Sequence, residues 1–417
     1  MRSLLLPALL LLAACTTAEK PKEKALVDFD GFKTNFLDAY WKQYPSAAIA
    51  VGYGKYYDEL PAPDSAYFAG SVVFAERWLD SLHTIGSEQL SLDDRISYRM
   101  IENELQRSIW AIDTLQDQRW DPSHYNIGGD AYAILTQDYA PLDARLRDLS
   151  ARLGQSGPYY AAALQVLKNP TKEHILLAIG QNKGALSVFG QDLVDSIAKS
   201  TLPDADRQAL AQHINEAKTA INGYIDGLTA MLADPTIAFR DFRLPRALYD
   251  QKFKYEIVSD MGPDQIFRMA NAQKDTCHRQ MYRLSREMWP KYCADLPEPS
   301  DTLKLIKTMI DRLSLQHVQS AHLFDTINAQ LHRIDRFIIV KDLFNFDTTS
   351  SVKVRLMPPF ASGVTIASAD FPLPYQKASS AYYNVADLSG KPAAEVESAL
   401  RDYNQWMLQL LTIHEAV

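Results

Sequence analysis

The chain has 417 residues, with 43 Lys and Arg against 51 Asp and Glu, and a net charge of −8. At 47% hydrophobic and 10% aromatic residues it can build a sizeable core, which excludes general disorder. No basic stripe is present, which argues against nucleic acid as a partner, and the length suits one large domain or two ordinary ones.

The N-terminus reads as an export signal over residues 1–14. Arg2 supplies a positive charge, and Leu4 to Leu12 form an apolar run broken only by Pro7. That run is too short to span a bilayer, which takes roughly twenty apolar residues. Leu12-Ala13-Ala14-Cys15 follows and looks like a lipobox, so Cys15 is the expected lipid anchor, with more than one acyl chain holding it firmly. Thr16 rather than Asp follows Cys15, which favours the outer membrane, facing the periplasm. The polar stretch to residue 25 reads as a tether, and the anchor is the only expected membrane contact.

From residue 26 helical periodicity dominates. Residues 27–43 carry Phe29, Phe32, Phe36 and Tyr40 at spacings of three or four. Residues 53–65 read as an ordered aromatic loop. Helices are predicted over 66–84 and over 92–115, the latter opened by Ser91 with Asp94 three residues on. Further helices are expected over 141–153, 159–167, 172–200 (capped by Thr171) and 203–232. The segment 238–255 breaks the pattern and reads as a hinge. Helices resume over 263–289, 301–313 and 316–338. After Phe346 the period changes to two: Val352, Val354 and Leu356 alternate with Lys353, Arg355 and Met357, and 363–369 and 381–385 are two more short strands. Pro392 opens a last helix that runs to the end. The expected class is mainly α, with a small sheet within 350–385.

Cys277 and Cys293 remain beside the anchor. A helix over 263–289 would carry Cys277 roughly 18 Å from its end, and four residues return only roughly 14 Å. A bridge within about 6–7 Å is barely reachable, so geometry argues against a disulfide while the sequence leaves the pairing open.

The last helix holds Leu400, Tyr403, Met407, Leu410 and His414 at spacings of three and four, read as one apolar face. It closes in Thr412-Ile413-His414-Glu415-Ala416-Val417. His-Glu on a helix is the first half of H-E-x-x-H, in which two histidines bind zinc and the glutamate acts as base on the metal-bound water. The pair alone is a weak signal, and a frayed core histidine is the plain alternative. His317, His322, Asp325, His332 and Asp335 read as a polar helix surface. Gly52-Tyr53-Gly54 lacks a dinucleotide context, and Pro158 spoils a nucleophile elbow at Ser156.

The segments 52–65 (GYGKYYDELPAPDS), 239–256 (FRDFRLPRALYDQKFKYE), 352–363 (VKVRLMPPFASG), 380–390 (SAYYNVADLSG) and 401–417 (RDYNQWMLQLLTIHEAV) resemble the bacterial lipoprotein family known as domain of unknown function 885, grouped with zinc metallopeptidases. The resemblance implies a peptide substrate and Zn2+ as cofactor, with His414 as the first zinc ligand and Glu415 as the catalytic base. The family's second histidine and later glutamate have no counterpart among these residues, so the chain reads as a fragment with an incomplete metal site, without activity by itself. By analogy with related peptidases the strand 381–385 would pair with substrate, placing Tyr383 and Asn384 nearest it, although ordinary sheet packing is the reading the residues favour. Two rivals stand beside the peptidase: a non-catalytic envelope lipoprotein binding peptide or glycan, and a scaffold that docks other envelope proteins.

Overall fold

The computed structural model describes residues 28–345, 352–357, 367–376 and 381–416. The expected signal, the Cys15 anchor, the tether and residues 363–366 of the second expected strand lie outside these. Helices predominate and a three-stranded sheet stands near the C-terminus, the class read from the sequence. No helix among the described residues is long and apolar enough to cross a membrane.

The chain opens with α1 (Phe29–Gln43), α2 (Pro45–Ala50), α3 (Ser65–Ile85) and α4 (Leu92–Trp110). The aromatic spacing of α1 has its expected result. Phe32 and Phe36 form one stripe, and Trp78 of α3 meets both edge-on, with ring centroids 5.5 and 5.4 Å away, the geometry the ring quadrupoles favour. Ser91 caps α4 by accepting from the Asp94 amide at 3.1 Å. A π turn at Ala111–Leu115 continues α4, and the run stops at Gln116, which takes a left-handed φ of 56°.

The central body holds α5 (Asp117–Trp120), α6 (Gly128–Thr136), α7 (Leu142–Leu153), α8 (Ser156–Val166), α9 (Lys172–Ala185), α10 (Gln191–Lys199) and α11 (Asp204–Ala233). The inner face of α11 runs Leu210, Ile214, Ala217, Ile221, Tyr224 and Leu228, all buried. These spacings of three and four keep one stripe turned to α7, α8 and α9. Each fully buried Leu or Ile there contributes about 1.5–3 kcal/mol. The helix expected over 172–200 is interrupted by a 3-10 turn at Leu186–Phe189 and by Gly190. A Cβ on Gly190 would lie 3.0 Å from the Ser187 carbonyl oxygen.

The remainder comprises α12 (Arg246–Ile257), α13 (Pro263–Tyr292), α14 (Thr302–Ser314), α15 (Leu323–Lys341), β1 (Lys353–Leu356), β2 (Ala367–Asp370), β3 (Tyr382–Val385), α16 (Ala393–Asp402) and α17 (Gln405–Ala416). The expected hinge is therefore helical from Arg246, although α12 has no fully buried residue. α13 and α14 pair around Trp289, Cys293, Leu305 and Met309. Cys277 and Cys293 are free thiols.

The sheet order is β1-β3-β2, with β1 parallel and β2 antiparallel to β3. Leu323, Ile327 and Leu331 of α15 and Leu408 of α17 cover the sheet face that carries Tyr383 and Val385. The strap after β2 is seated on the N-terminal lobe. The Tyr375 amide donates to the Val51 carbonyl at 3.3 Å, and its ring meets Tyr53 edge-on at 4.9 Å. Gly52 there has φ +76°, and a Cβ on it would meet the Leu373 Cβ at 2.9 Å.

Candidate functional site

His414 and Glu415 stand on the last turn of α17. Thr412 beside them is buried, and its hydroxyl donates to Gln330 Oε1 of α15 at 2.7 Å and to the Leu408 carbonyl at 2.8 Å. With Thr412 turned inward, helical geometry puts Leu408, Leu411 and Glu415 on the same side. Glu415 is half-buried and His414 exposed.

This corrects the expected apolar face. Asn404 accepts hydrogen bonds from the Trp406 amide at 3.2 Å and the Met407 amide at 3.3 Å, an N-cap that ends one helix and starts another. Leu400 and Tyr403 therefore precede a break, while Met407 and Leu410 on α17 are 47% and 59% exposed. The inner face is offset by one residue from the predicted one.

Tyr383 and Asn384 lie on β3, whose backbone is paired on both sides. The expectation that 381–385 offers a free edge to a peptide is corrected, because β3 is the central strand. Alternation along the strand also sends the two side chains to opposite faces. Tyr383 is buried toward α15 and α17, and its hydroxyl has no hydrogen-bond partner among the described residues. Burial pushes its pKa up to about 12; Thr412 opposes the rise and the Glu415 charge adds to it. On the other face Asn384 Oδ1 accepts from Arg355 Nε at 2.7 Å, while its Nδ2 donates to Ser368 Oγ at 3.2 Å and Asp370 Oδ2 at 3.0 Å. Arg355 also pairs with Asp370 at 2.5 Å and stacks on the Tyr382 ring at 4.0 Å. These bonds occupy the polar atoms of Asn384 within the sheet.

A catalytic zinc takes three protein ligands. Among the described residues no group of three His, Cys, Asp or Glu side chains is arranged to hold a metal ion. His414 offers one imidazole, and the donor set around it does not fit a complete zinc site.

A second titratable cluster was missed in the sequence. His124 Nε2 lies 3.5 Å from Asp117 Oδ2 and 3.7 Å from Asp121 Oδ2, and His174 Nε2 approaches Asp121 Oδ2 at 3.5 Å. Asp117 raises the His124 pKa above its ordinary value. The signal available was Asp117, Asp121 and His124 at spacings of four and three. His124 lines a cavity of about 380 Å³ whose walls include Tyr44, Tyr67, Phe68, Tyr125 and Tyr159. Glu104 also lines it and accepts from Tyr40 at 2.8 Å and from Arg107 Nε and Nη2 at 3.0 and 2.8 Å.

No curated protein matches the chain. A solved structure described as that of a candidate lipoprotein of unknown function from Shewanella oneidensis is 34% identical, with a TM-score of 0.77, over 94% of this chain and 70% of that one. A candidate lipoprotein from Colwellia psychrerythraea shares the fold at 13% identity, TM-score 0.67, over 93% of this chain and 70% of that one. Residues 45–417 match the family described as bacterial protein of unknown function, DUF885, and the chain belongs to that family.

Proposed function

We propose that this chain belongs to an envelope-anchored lipoprotein that hydrolyses peptides, with Cys15 as the lipidated residue, His414 as a metal ligand and Glu415 as the base. The observation that carries this reading is the placement of the pair. Thr412 and Gln330 tie the end of α17 to α15, Glu415 is half-buried, and His414 is open to solvent beside it. His-Glu at that place matches the opening of H-E-x-x-H. The lipobox-like residues before Cys15, and the description of the Shewanella relative as a candidate lipoprotein, support the location. His414 by itself is not a catalytic zinc site, so the remaining ligands are a requirement the reading places on the intact protein.

The test is hydrolysis of quenched-fluorescent peptides by the lipoprotein purified from envelope membranes with zinc present. Glu415→Gln at the half-exposed end of a helix should leave the unfolding midpoint unchanged and lower kcat/KM at least about 100-fold, the scale of a lost general base. An unchanged rate would remove Glu415 from the chemistry. Cys15→Ser should release the protein from the membrane fraction.

One observation favours a second reading, a non-catalytic lipoprotein that binds peptide or glycan: the aromatic cavity that Glu104 and Arg107 also line. Under that reading Glu415→Gln leaves ligand affinity unchanged, and Tyr67→Ala weakens it.

A further inference from the structure

Between α1, α4 and the end of α12 lies a larger cavity, of about 800 Å³, within the roughly 300–1,000 Å³ range of small-molecule sites. Phe36, Leu37 and Ile101 line its interior. Ile96, Met100 and Val258 line it while being 51%, 68% and 66% exposed. Apolar side chains left in water around an apolar cavity mark a surface that gains by being covered.

The charges at this cavity do not balance locally. Arg107 is held by Glu104, and Glu256 is paired with Lys252 at 3.3 Å. Arg99 also lines the cavity and has no ion-pair or hydrogen-bond partner among the described residues. One cation therefore remains for a ligand. The walls named are helical or helix-terminal, so most of their backbone N–H and C=O groups are spent inside the helices. A peptide laid along them would bury amides without partners, at a cost that hydrocarbon does not incur.

The wall formed by α12 is joined to α4 by two side-chain hydrogen bonds and by the Tyr255 ring against Trp110, with centroids 5.4 Å apart. It has no fully buried residue. Asn103 Nδ2 donating to the Tyr255 carbonyl at 3.0 Å, and Trp110 Nε1 donating to Gln251 Oε1 at 2.5 Å, hold it to α4. Val258 at its end has φ 49° and ψ 48°, a left-handed conformation that a β-branched residue adopts only under strain.

We propose that this cavity binds the hydrocarbon chain of a fatty-acid-type monocarboxylate, with Arg99 at its carboxylate. The site is separate from His414 and Glu415 and does not depend on how they act. The probe is dodecanoate carrying a terminal bromine, which quenches a nearby indole, added to the purified protein below the micelle concentration. Saturable quenching that is lost in Trp41→Phe is expected, since Trp41 lines the cavity. Lengthening the chain by two methylenes should tighten binding roughly tenfold. Arg99→Gln should weaken dodecanoate roughly two- to fivefold, the scale of an exposed ion pair, and leave dodecanol unchanged. Met100→Glu, at an exposed position that tolerates the change in folding, should abolish binding of both. Quenching that persists in Trp41→Phe, binding unaffected by Met100→Glu, or tighter binding of an acetylated dipeptide ending in phenylalanine would each overturn the proposal.

Discussion

Thr412→Val tests whether the candidate site is held by the bond beneath it. Val keeps the volume and removes one hydroxyl. Thr412 is fully buried and Gln330 is 4% exposed, so the lost 2.7 Å bond leaves the Gln330 carbonyl oxygen buried without a donor. An orphaned buried acceptor costs about 1–3 kcal/mol. At about 2 kcal/mol, local opening of α17 becomes roughly 30-fold more frequent. Hydrogen exchange of the amides of residues 408–414 reads this directly, and those of α11 should be unaffected. Replacing both partners, Thr412→Val with Gln330→Leu, should recover most of the loss, because no polar atom is then stranded. Unchanged exchange in the single variant, or a double variant as labile as the sum of the two singles, refutes the reasoning.

Asp130→Ala should destabilise the central body by about 3–5 kcal/mol, read as a lower urea midpoint at constant m. Arg152 is 1% exposed and is bonded to Asp130, Ser46 and the Glu59 carbonyl, so losing Asp130 strands a buried charge. Asp117 raises the His124 pKa in the folded protein. The stability this gives is fully present below the unfolded histidine value, near about 6.5, and is lost as pH rises through the higher folded value. The unfolding midpoint should therefore fall as pH rises past the unfolded histidine value, and His124→Gln should flatten that slope. Gly52→Ala should lower stability by at least about 1 kcal/mol, because φ is +76° and the new Cβ would meet Leu373; a neutral thermal midpoint would contradict the seating of the strap there.

Much of the fold is legible because its signals are local. The Phe29–Phe32–Phe36 stripe, the Ser91 cap and the strand alternation at Val352 and Val354 are periodicities within a dozen residues. The break at Asn404 has a local signal too, an N-cap residue, but the apolar spacing runs through it and outvotes it. Which strand is central is a matter of pairing between segments about thirty residues apart, and strand propensity is silent on that. The His124–His174 contact to Asp121 and the neighbourhood of Arg99 arise from helices that meet only after folding. His414 and Glu415 are legible as a pair because they are adjacent. Their unequal exposure follows from where Thr412 lands.

The strap at Tyr375 has a kinetic consequence. Trp41 Nε1 donates to the Tyr375 hydroxyl at 3.3 Å across 334 residues of sequence. A contact of that span closes a very large loop, and such closures belong to the late stages of folding. The α11 core, whose partners lie within about a hundred residues, can consolidate as the chain emerges, N-terminal part first. The face of α1 that carries Trp41 then waits uncovered until the sheet has formed and delivered its strap. A chain exported unfolded would pass through that interval outside the cytoplasm, so an aromatic surface near the N-terminus is the part most in need of protection while the protein matures.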